Sequence, residues 1–306
     1  MVEQEVAFVS DGLRFSGTMA APAADGRFPC VLMIPGSGQV DRNESVKKLP
    51  INVFGELSRH LADRGIGSLR YDKRGVGRSE GDYWKKGFND TLTDATAALA
   101  FLREHQQVRS DKIFVLGHSE GAYVATRLAA ADPGLAGAVL LAGGARSGEE
   151  ELKWQAVQVA AGLKGFNAWL VKILRIDVLK AQQKHLERIK GSTEDSYRIQ
   201  LFNKVNAKWM REFLAYDPSE DLAKIRIPLL AVTGAKDIQV DPGNLERMAA
   251  LVTAPFEHHA VPDVTHLLRS EAGAPGISTY RKQVRRPLDP RVVDLVLEWL
   301  GRHIAG

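Results

Sequence analysis

The chain has 306 residues, of which 44% are hydrophobic and 25% are charged, values that are ordinary for a soluble globular protein. Its formal net charge is +4, and lysine and arginine are spread along the whole length, so no nucleic-acid-binding surface is indicated. No apolar run is long enough to span a membrane, and the single cysteine, Cys30, excludes an internal disulfide. The first residues contain neither a basic start nor an apolar signal core, so a cytoplasmic location is expected.

Strands and helices alternate over the first half of the chain. Residues 2–9 and 13–20 flank Ser10-Asp11-Gly12 and predict an antiparallel hairpin with Asp-Gly in its turn. Continuous apolar runs predict buried strands at 30–34, 66–71, 113–116 and 137–141. Helical spacing of apolar residues predicts helices at 54–62, at 89–105 and from 122 onwards. This alternation predicts a mostly parallel sheet with helices on both faces.

The alternation stops between about residues 147 and 221. This stretch has helical patterns around 152–157, 166–174, 179–189 and 197–214, and no convincing strand. It is expected to be a helical insertion above the sheet, and its tryptophans are candidates for lining a substrate pocket: Trp154, Trp169 and Trp209. Strand and helix then alternate again over 228–234, 244–251, 256–261 and a final helix capped by Asp289. The expected organisation is a core of 1–146 and 222–306 with the insertion at 147–221.

The segment Gly117-His118-Ser119-Glu120-Gly121 has the Gly-x-Ser-x-Gly pattern of a nucleophile elbow. A predicted buried strand precedes it and a predicted helix follows it, which is the context that an elbow requires. The glycines are expected because a side chain at either position would collide with the neighbouring strand or helix in so sharp a turn. Ser119 is therefore the predicted nucleophile.

A serine hydroxyl becomes a good nucleophile only when a base takes its proton and a third group orients that base. In hydrolases with such an elbow, an acid and then a histidine follow the serine along the chain. Asp237 comes just past the 228–234 strand, at the same rim as the elbow, and is the predicted acid; Asp241, in the same loop, is the alternative. His266 follows the next strand and is the predicted base.

Three other histidines fit the role of base less well. His258 and His259 lie inside the predicted 256–261 strand, where a surface or core histidine is the simpler interpretation. His118 precedes the predicted nucleophile and is expected to be a structural donor.

Backbone N–H groups must also be present where negative charge develops on the substrate. One is expected from Glu120, directly after the predicted nucleophile. The other is expected from the loop after the 30–34 strand, with Ser37 favoured and Gly38 or Gln39 as lesser candidates. The glycines of this loop would let its backbone approach closely.

Together these motifs resemble the α/β-hydrolase superfamily, and most of all its bacterial esterase and serine-aminopeptidase-like branch. The resemblance rests on Pro35-Gly36-Ser37-Gly38 followed by Asp41-Arg42, on Asp72-x-Arg74-Gly75-x-Gly77-x-Ser79, on the elbow, on Gly234-x-x-Asp237 and on His266-Leu267-Leu268. It implies an α/β-hydrolase fold with an eight-stranded sheet and a helical cap at 147–221, no cofactor or metal, and an acyl-enzyme on Ser119. Pro35 stands where many relatives have histidine, which should leave the N–H donors intact.

The basic stretch Arg70, Lys73, Arg74 and Arg78 could be mistaken for an anion site. In proteins that this chain resembles, the corresponding loop packs structurally near the active site. Arg74 is therefore expected to be a salt-bridged scaffold residue, paired with Asp41 or Asp72.

The expected activity is hydrolysis of small to medium carboxylic esters with a partly apolar portion. A thioesterase, a carbon–carbon bond hydrolase and an aminopeptidase or amidase would use the same three groups. An aminopeptidase would need carboxylates for the substrate amine, and the run Glu149, Glu150, Glu151 offers candidates. A non-enzymatic ligand receptor on this fold is the alternative of a different class, although pure binding needs no nucleophile. The expected partner is a small-molecule ester, and the oligomeric state stays open between monomer and homodimer.

Overall fold

The computed structural model describes residues 1–22, 26–47, 49–161, 178–200 and 203–305. The strands in these ranges are β1 (Val2–Ser10), β2 (Leu13–Ala21), β3 (Phe28–Ile34), β4 (Gly67–Tyr71), β5 (Val108–His118), β6 (Gly137–Leu141), β7 (Ser196–Gln200), β8 (Asn203–Asn206), β9 (Leu229–Gly234) and β10 (Phe256–Val261). The helices are α1 (Val53–Asp63), α2 (Phe88–Glu104), α3 (Glu120–Ala131), α4 (Gly148–Ala161), α5 (Val178–Lys190), α6 (Ala207–Ala215), α7 (Ser219–Lys224), α8 (Asn244–Leu251), α9 (Tyr280–Gln283) and α10 (Pro290–Ala305).

Eight of these strands form one sheet in the order β1-β2-β4-β3-β5-β6-β9-β10. Strand β2 pairs antiparallel with β1 and with β4, and every other neighbouring pair is parallel. This confirms the predicted eight-stranded, mostly parallel sheet, and the hairpin with Asp11-Gly12 in its turn. Because the parallel strands point the same way, the loops after β3, β4, β5, β6, β9 and β10 lie at one rim of the sheet.

Helices cover both faces of the sheet. Successive side chains of a strand point to opposite faces and so belong to two different hydrophobic clusters. In β3, Cys30, Leu32 and Ile34 belong to a hydrophobic cluster with residues of α2, α3 and α8. Val31 and Met33 belong to a second cluster with residues of α1 and α10. Side chains of a strand alternate between its faces, so a strand covered on both faces reads as a continuous apolar run. Cys30 is fully buried, and this burial raises the pKa of its thiol well above the ordinary value.

The segment between β6 and β9 differs in part from its prediction. It contains α4, α5, α6 and α7, but residues 196–200 and 203–206 pair as the antiparallel strands β7 and β8 where the sequence predicts helix. Tyr197 pairs with Val205 across this hairpin, and both pack against the cluster of Leu186 and Ile189. A short apolar pattern cannot distinguish strand from helix, and this packing decides it. The expected boundary at 221/222 falls inside α7, and the predicted helix at 166–174 lies outside the described residues.

The turn between β5 and α3 brings three backbone segments into close contact. A Cβ atom at Gly117 would lie 2.0 Å from the carbonyl oxygen of Gly121, and one at Gly121 would lie 1.9 Å from the carbonyl oxygen of Ile34. Both distances are far below van der Waals contact, and neither neighbour is a flexible side chain that could move aside. The structure thus confirms the steric reason that the sequence suggested for the two glycines.

The substitution Gly121→Ala is therefore expected to lower the free energy of unfolding by about 2 kcal/mol or more, because the added methyl group forces β3 and α3 apart. Urea unfolding followed by circular dichroism measures this change.

Gly301→Ala is the matched control. Gly301 lies in α10, and apart from the neighbouring residues and backbone of that helix, no atom would lie within 4 Å of its added Cβ. Alanine there should raise the free energy of unfolding by about 0.5–1 kcal/mol, because it reduces the backbone entropy lost on folding. Equal changes in the two variants would contradict the steric explanation.

Candidate active site

Ser119 lies at the end of β5 and directly before α3, on the rim where the parallel strands end. Its backbone has φ 55° and ψ −119°, a combination that residues with a Cβ rarely adopt. Its N–H donates to the carbonyl oxygen of Leu141 at 3.0 Å, which ties the turn to β6. Strain of this kind at a residue other than glycine is found most often at functional positions.

Asp237 and His266 come from the loops after β9 and β10 and contact each other. Nδ1 of His266 lies 2.8 Å from Oδ2 of Asp237, and both side chains are buried. The other carboxylate oxygen, Oδ1, accepts hydrogen bonds from the backbone N–H groups of Gln239 at 2.7 Å and Val240 at 3.0 Å. These bonds hold the carboxylate in place. With Nδ1 of His266 as the donor to it, Nε2 is the nitrogen that can accept a proton.

The alternative acid and bases have other partners. Oδ2 of Asp241 lies 2.5 Å from the guanidinium of Arg146. His258 and His259 lie on the edge strand β10, each beside a glutamate. Of the acid–base pairings weighed from the sequence, the structure brings Asp237 and His266 into contact.

The loop after β3 lies against the elbow. A Cβ atom at Gly36 would be 3.3 Å from the Cβ atom of Ser119. The N–H of Gly36 donates to Oε1 of the buried Glu44 at 2.7 Å, which holds the loop in this position. The loop predicted to supply an oxyanion donor is therefore next to the predicted nucleophile.

The imidazole of His118 joins this loop to His266 through two acceptors. Its Nδ1 lies 2.8 Å from Oε1 of Glu44, and its Nε2 lies 2.9 Å from the backbone carbonyl oxygen of His266. An imidazole that donates from both nitrogens carries a positive charge. Burial alone would lower the pKa of His118, but the Glu44 carboxylate more than offsets this effect, so the pKa is raised. His118 is a structural donor, as the sequence predicts.

A cluster of buried charges surrounds Glu120, the first residue of α3. Its carboxylate lies 3.0 Å from Nζ of Lys73 and 3.7 Å from Nζ of Lys86, and it accepts a hydrogen bond from Nε1 of Trp209 at 2.9 Å. Burial alone would raise the pKa of Glu120, but the two ammonium groups outweigh burial and lower it. Burial, together with the like charge of Lys73, lowers the pKa of Lys86 to about 7. The first turn of α3 is thus held by two lysines of the β4–α2 connection and by the indole N–H of Trp209 in α6.

A cavity borders Ser119 between the rim of the sheet and helices α4 and α6. Both favoured oxyanion donors and one predicted tryptophan are among its lining residues: Ser37, Ser119, Glu120, Tyr123, Glu151, Leu152, Gln155, Trp209, Phe213, Gln239 and Val240. The rings of Trp209 and Phe213 stack at 5.1 Å with an angle of 8° between their planes. The lesser donor candidates, Gly38 and Gln39, do not line this cavity.

Comparison with known families agrees with this geometry. Residues 50–272, well over half of the chain, match the family model described as Serine aminopeptidase, S33. The chain belongs to this family. The match includes Ser119, Asp237 and His266, and it agrees with the esterase and aminopeptidase-like branch that the motifs resemble.

One curated relative and two solved structures illustrate what this chain is similar to. Esterase EstD of Thermotoga maritima is 26% identical over 291 residues, which are 93% of this chain and 65% of that protein, so the chain spans about two thirds of its relative. The α/β hydrolase GrgF from Penicillium sp. sh18 has a TM-score of 0.67 at 17% identity, with 100% of both chains covered. Est1E from Butyrivibrio proteoclasticus, in a structure with bound ferulic acid, has a TM-score of 0.66 at 16% identity, covering 98% of this chain and 100% of that one. At such identities the two structures show the α/β-hydrolase fold alone.

The other two tryptophans that were predicted to line the pocket are not found there among the described residues. Trp154 lies on α4 but is not among the cavity's lining residues. Trp169 lies outside the described residues.

Arg74 forms salt bridges, as expected, but its partners differ from the predicted ones. Its Nη2 lies 2.6 Å from Asp94 and 2.8 Å from Asp11. Asp72 is instead bound by Arg42 at 2.8 Å. The reason is that Arg74 lies beside α2, which carries Asp94, and beside the β1–β2 turn, which carries Asp11.

Three charged residues near the site were not among the predicted site residues: Glu44, Lys73 and Lys86. Each lies in a loop that follows a strand, a setting in which charged side chains usually face solvent. All three are buried. Their burial depends on opposite charges that the fold brings close, so no local pattern in the sequence could indicate it.

Among the described residues, no helix has the length and apolar content needed to cross a bilayer. In the same ranges, the His, Cys, Asp and Glu side chains form no group of three or more that could hold a metal ion.

The substitution His118→Gln is expected to lower the free energy of unfolding by about 3 kcal/mol at pH 6, because it breaks a buried charge pair. The folded-state pKa of His118 is raised above its ordinary value of 6.5. The stabilisation is therefore fully present below that value and is lost as pH rises through the folded-state pKa. Urea unfolding of both proteins at pH 6, 7.5 and 9 should show a difference that shrinks with pH.

His259→Gln provides the control, because His259 forms a partly exposed pair with Glu257 at 2.9 Å. Its loss should cost less than about 1 kcal/mol at each pH. The difference in free energy of unfolding between the wild type and His118→Gln should shrink as pH rises. A difference that stays constant or grows would contradict an imidazolium that donates from both nitrogens.

Proposed function

We propose that this chain is a serine hydrolase that cleaves carboxylic esters of small to medium size through an acyl-enzyme on Ser119. The observation that carries the proposal is the 2.8 Å contact between His266 and Asp237, whose backbone partners Gln239 and Val240 line the same cavity as Ser119. A histidine oriented by a carboxylate is the group that activates a serine hydroxyl. Pure ligand binding would need neither this pair nor a strained serine.

The first half of the proposed reaction acylates the serine. Nε2 of His266 takes the hydroxyl proton of Ser119 as Oγ forms a bond to the ester carbonyl carbon. One electron pair of the C=O bond moves to the oxygen, and the N–H groups of Ser37 and Glu120 donate to this oxyanion. The electron pair on this oxygen then forms the C=O bond again, and the bond between the carbonyl carbon and the alcohol oxygen breaks. His266 gives its proton to the departing alcohol.

The second half releases the acid. His266 takes a proton from water, and the water oxygen attacks the acyl carbonyl carbon, which forms a second oxyanion on the same two N–H groups. When this intermediate collapses, the bond to Oγ of Ser119 breaks and His266 returns the proton to Oγ. The net change is one ester and one water converted to one acid and one alcohol.

The cavity supports an ester with an apolar or aromatic portion. Trp209, Phe213 and Leu152 line it, and the amides of Gln155 and Gln239 add polar groups. Flat aromatic walls bind planar apolar groups by stacking. The esterase name of the relative EstD and the ferulic acid bound to Est1E are consistent with this choice.

An aminopeptidase is the second candidate, because Glu151 lines the cavity. Its oxygens, however, already accept hydrogen bonds from the N–H of Asp241 at 2.8 Å and from Nδ2 of Asn244 at 2.9 Å. Burial raises the pKa of Glu151, which makes it a weaker partner for an ammonium group. Glu149 pairs with two lysines, and Glu150 binds the serine that precedes α4. The ester is therefore the favoured substrate.

We propose that residues 147–221 form a cap on the core of 1–146 and 222–306. The segment has a small hydrophobic cluster of its own, made of Leu186, Ile189, Tyr197, Ala207 and Leu214. Two of its helices, α4 and α6, supply cavity walls through Leu152 and Trp209. Sequence changes in this segment would therefore alter substrate choice without altering the proposed catalytic groups.

Ser119→Ala is expected to lower kcat/KM for p-nitrophenyl butyrate by about 10³-fold or more, because no acyl-enzyme can form. A fluorophosphonate should label wild-type Ser119, and peptide mass spectrometry checks the site. A panel of matched ester, thioester and aminoacyl anilide substrates tests the preference for esters. Near-wild-type hydrolysis by the variant would refute the assignment of Ser119.

Asp237→Asn should lower kcat by about 10⁴-fold, because an amide at this position can stabilise the wrong tautomer of His266. Asp241→Asn is the matched control: Asp241 is in the same loop but pairs with Arg146. It should change kcat by less than about tenfold. Steady-state assays of both purified variants measure kcat. An equal loss of kcat in both would contradict the role of Asp237 as the orienting acid.

A further inference from the structure

Lys73 joins the two backbone segments that carry the proposed oxyanion donors. It lies in the loop after β4, and its side chain is only 2% exposed. Its Nζ donates to the carbonyl oxygen of Gly36 at 2.6 Å and to Oε2 of Glu120 at 3.0 Å. Gly36 belongs to the loop after β3, and Glu120 begins α3. One ammonium group therefore spans the two sides of the proposed oxyanion hole.

The contact of Lys73 with the carbonyl oxygen of Gly36 acts on the peptide group that also contains the N–H of Ser37, a proposed oxyanion donor. The carbonyl of Gly36 and the N–H of Ser37 belong to the same planar unit and point in opposite directions. A cation on the oxygen fixes the rotation of this plane, and so fixes the direction of the N–H. It also polarises the conjugated amide, and linked hydrogen bonds strengthen one another by roughly 10–30%.

The second contact holds the other donor through its own side chain. The carboxylate of Glu120 is bound by Lys73 and by Nε1 of Trp209 at 2.9 Å, which restrains a residue that lines the same cavity as Ser119. Lys86 also approaches this carboxylate, at 3.7 Å, so the charge of Glu120 would have a partner without Lys73. A second buried ammonium group is costly. Lys73 differs from Lys86 in its bond to Gly36 and in its closer contact with Glu120, whereas Lys86 donates to the hydroxyl of Thr91.

We propose that Lys73 is a positioning residue of the oxyanion hole, which orients and polarises the Gly36–Ser37 peptide and holds Glu120. This proposal rests on the proposed hydrolase function. Negative charge develops on the substrate oxygen only as the tetrahedral state forms. The contribution of Lys73 therefore belongs to kcat rather than to KM.

The test compares Lys73→Met with Lys86→Met. Both remove the amine of a buried lysine beside Glu120, but only the first removes a contact with Gly36. Removing an oxyanion donor costs about 10²–10³-fold in kcat, and weakening one should cost less. Lys73→Met is therefore expected to lower kcat for p-nitrophenyl butyrate by about 10–100-fold with KM within about threefold. Lys86→Met should change either constant by less than about threefold at pH 8.

An alkyl trifluoromethyl ketone gives a second readout, because its adduct with a serine places an anionic oxygen in the oxyanion hole. Its inhibition constant should rise in Lys73→Met by the same factor as kcat falls, and should stay near the wild-type value in Lys86→Met. A role confined to structure would not weaken this inhibitor in proportion to kcat.

Near-ultraviolet circular dichroism checks that each variant is folded. If Lys73→Met does not fold, the double variant Lys73→Gln, Glu120→Gln takes its place, because it removes both charges and retains polar side chains. Equal kcat losses in the two lysine variants, or a change in KM alone, would overturn the positioning role. Failure of the proposed function would look different, because Ser119→Ala would then remain active whatever Lys73→Met does.

Discussion

The rim that carries Ser119 depends on how closely three pieces of backbone pass one another. Gly121 lies directly against the carbonyl of Ile34, and Gly117 lies against Gly121, so neither position has room for a side chain. This contact brings the end of β3 beside the start of α3, and it makes the loop residue Ser37 a neighbour of the elbow. Backbone cannot yield as a side chain can, so the geometry of the whole site follows from this approach.

Gly36 is held from both sides by buried charged groups. Its N–H donates to Glu44, which also binds His118, and His118 in turn binds the backbone of His266. Its carbonyl oxygen accepts from Lys73, which reaches Glu120 at the start of α3. Buried polar groups are costly when unpaired, so these hydrogen bonds leave the peptide groups of Gly36 few alternative arrangements. The loop after β3 is therefore positioned by two independent sets of contacts.

Much of the fold could be predicted from local patterns. Strands β6 and β10 and helix α8 begin and end at the predicted residues, because each is an apolar or amphipathic run bounded by turn residues. The same approach failed at 196–206. There, Tyr197 and Val205 face each other across a hairpin, and the apolar spacing alone could not distinguish this arrangement from a helix. Pairing between segments supplies the missing information.

Outside residues 147–221, the sequence by itself determined the order of strands and helices. It also indicated Ser119, Asp237 and His266, because their chemistry requires these residue types in this order after successive strands. Only the tertiary structure decided that Asp237, rather than Asp241, contacts His266. It also decided which charges are buried at the site. Glu44 and His118 are 74 positions apart and Lys73 and Glu120 are 47 apart, so their contacts exist only after the chain has folded. A charged side chain can be buried only where an opposite charge or a polar group meets it, and the fold determines where that happens.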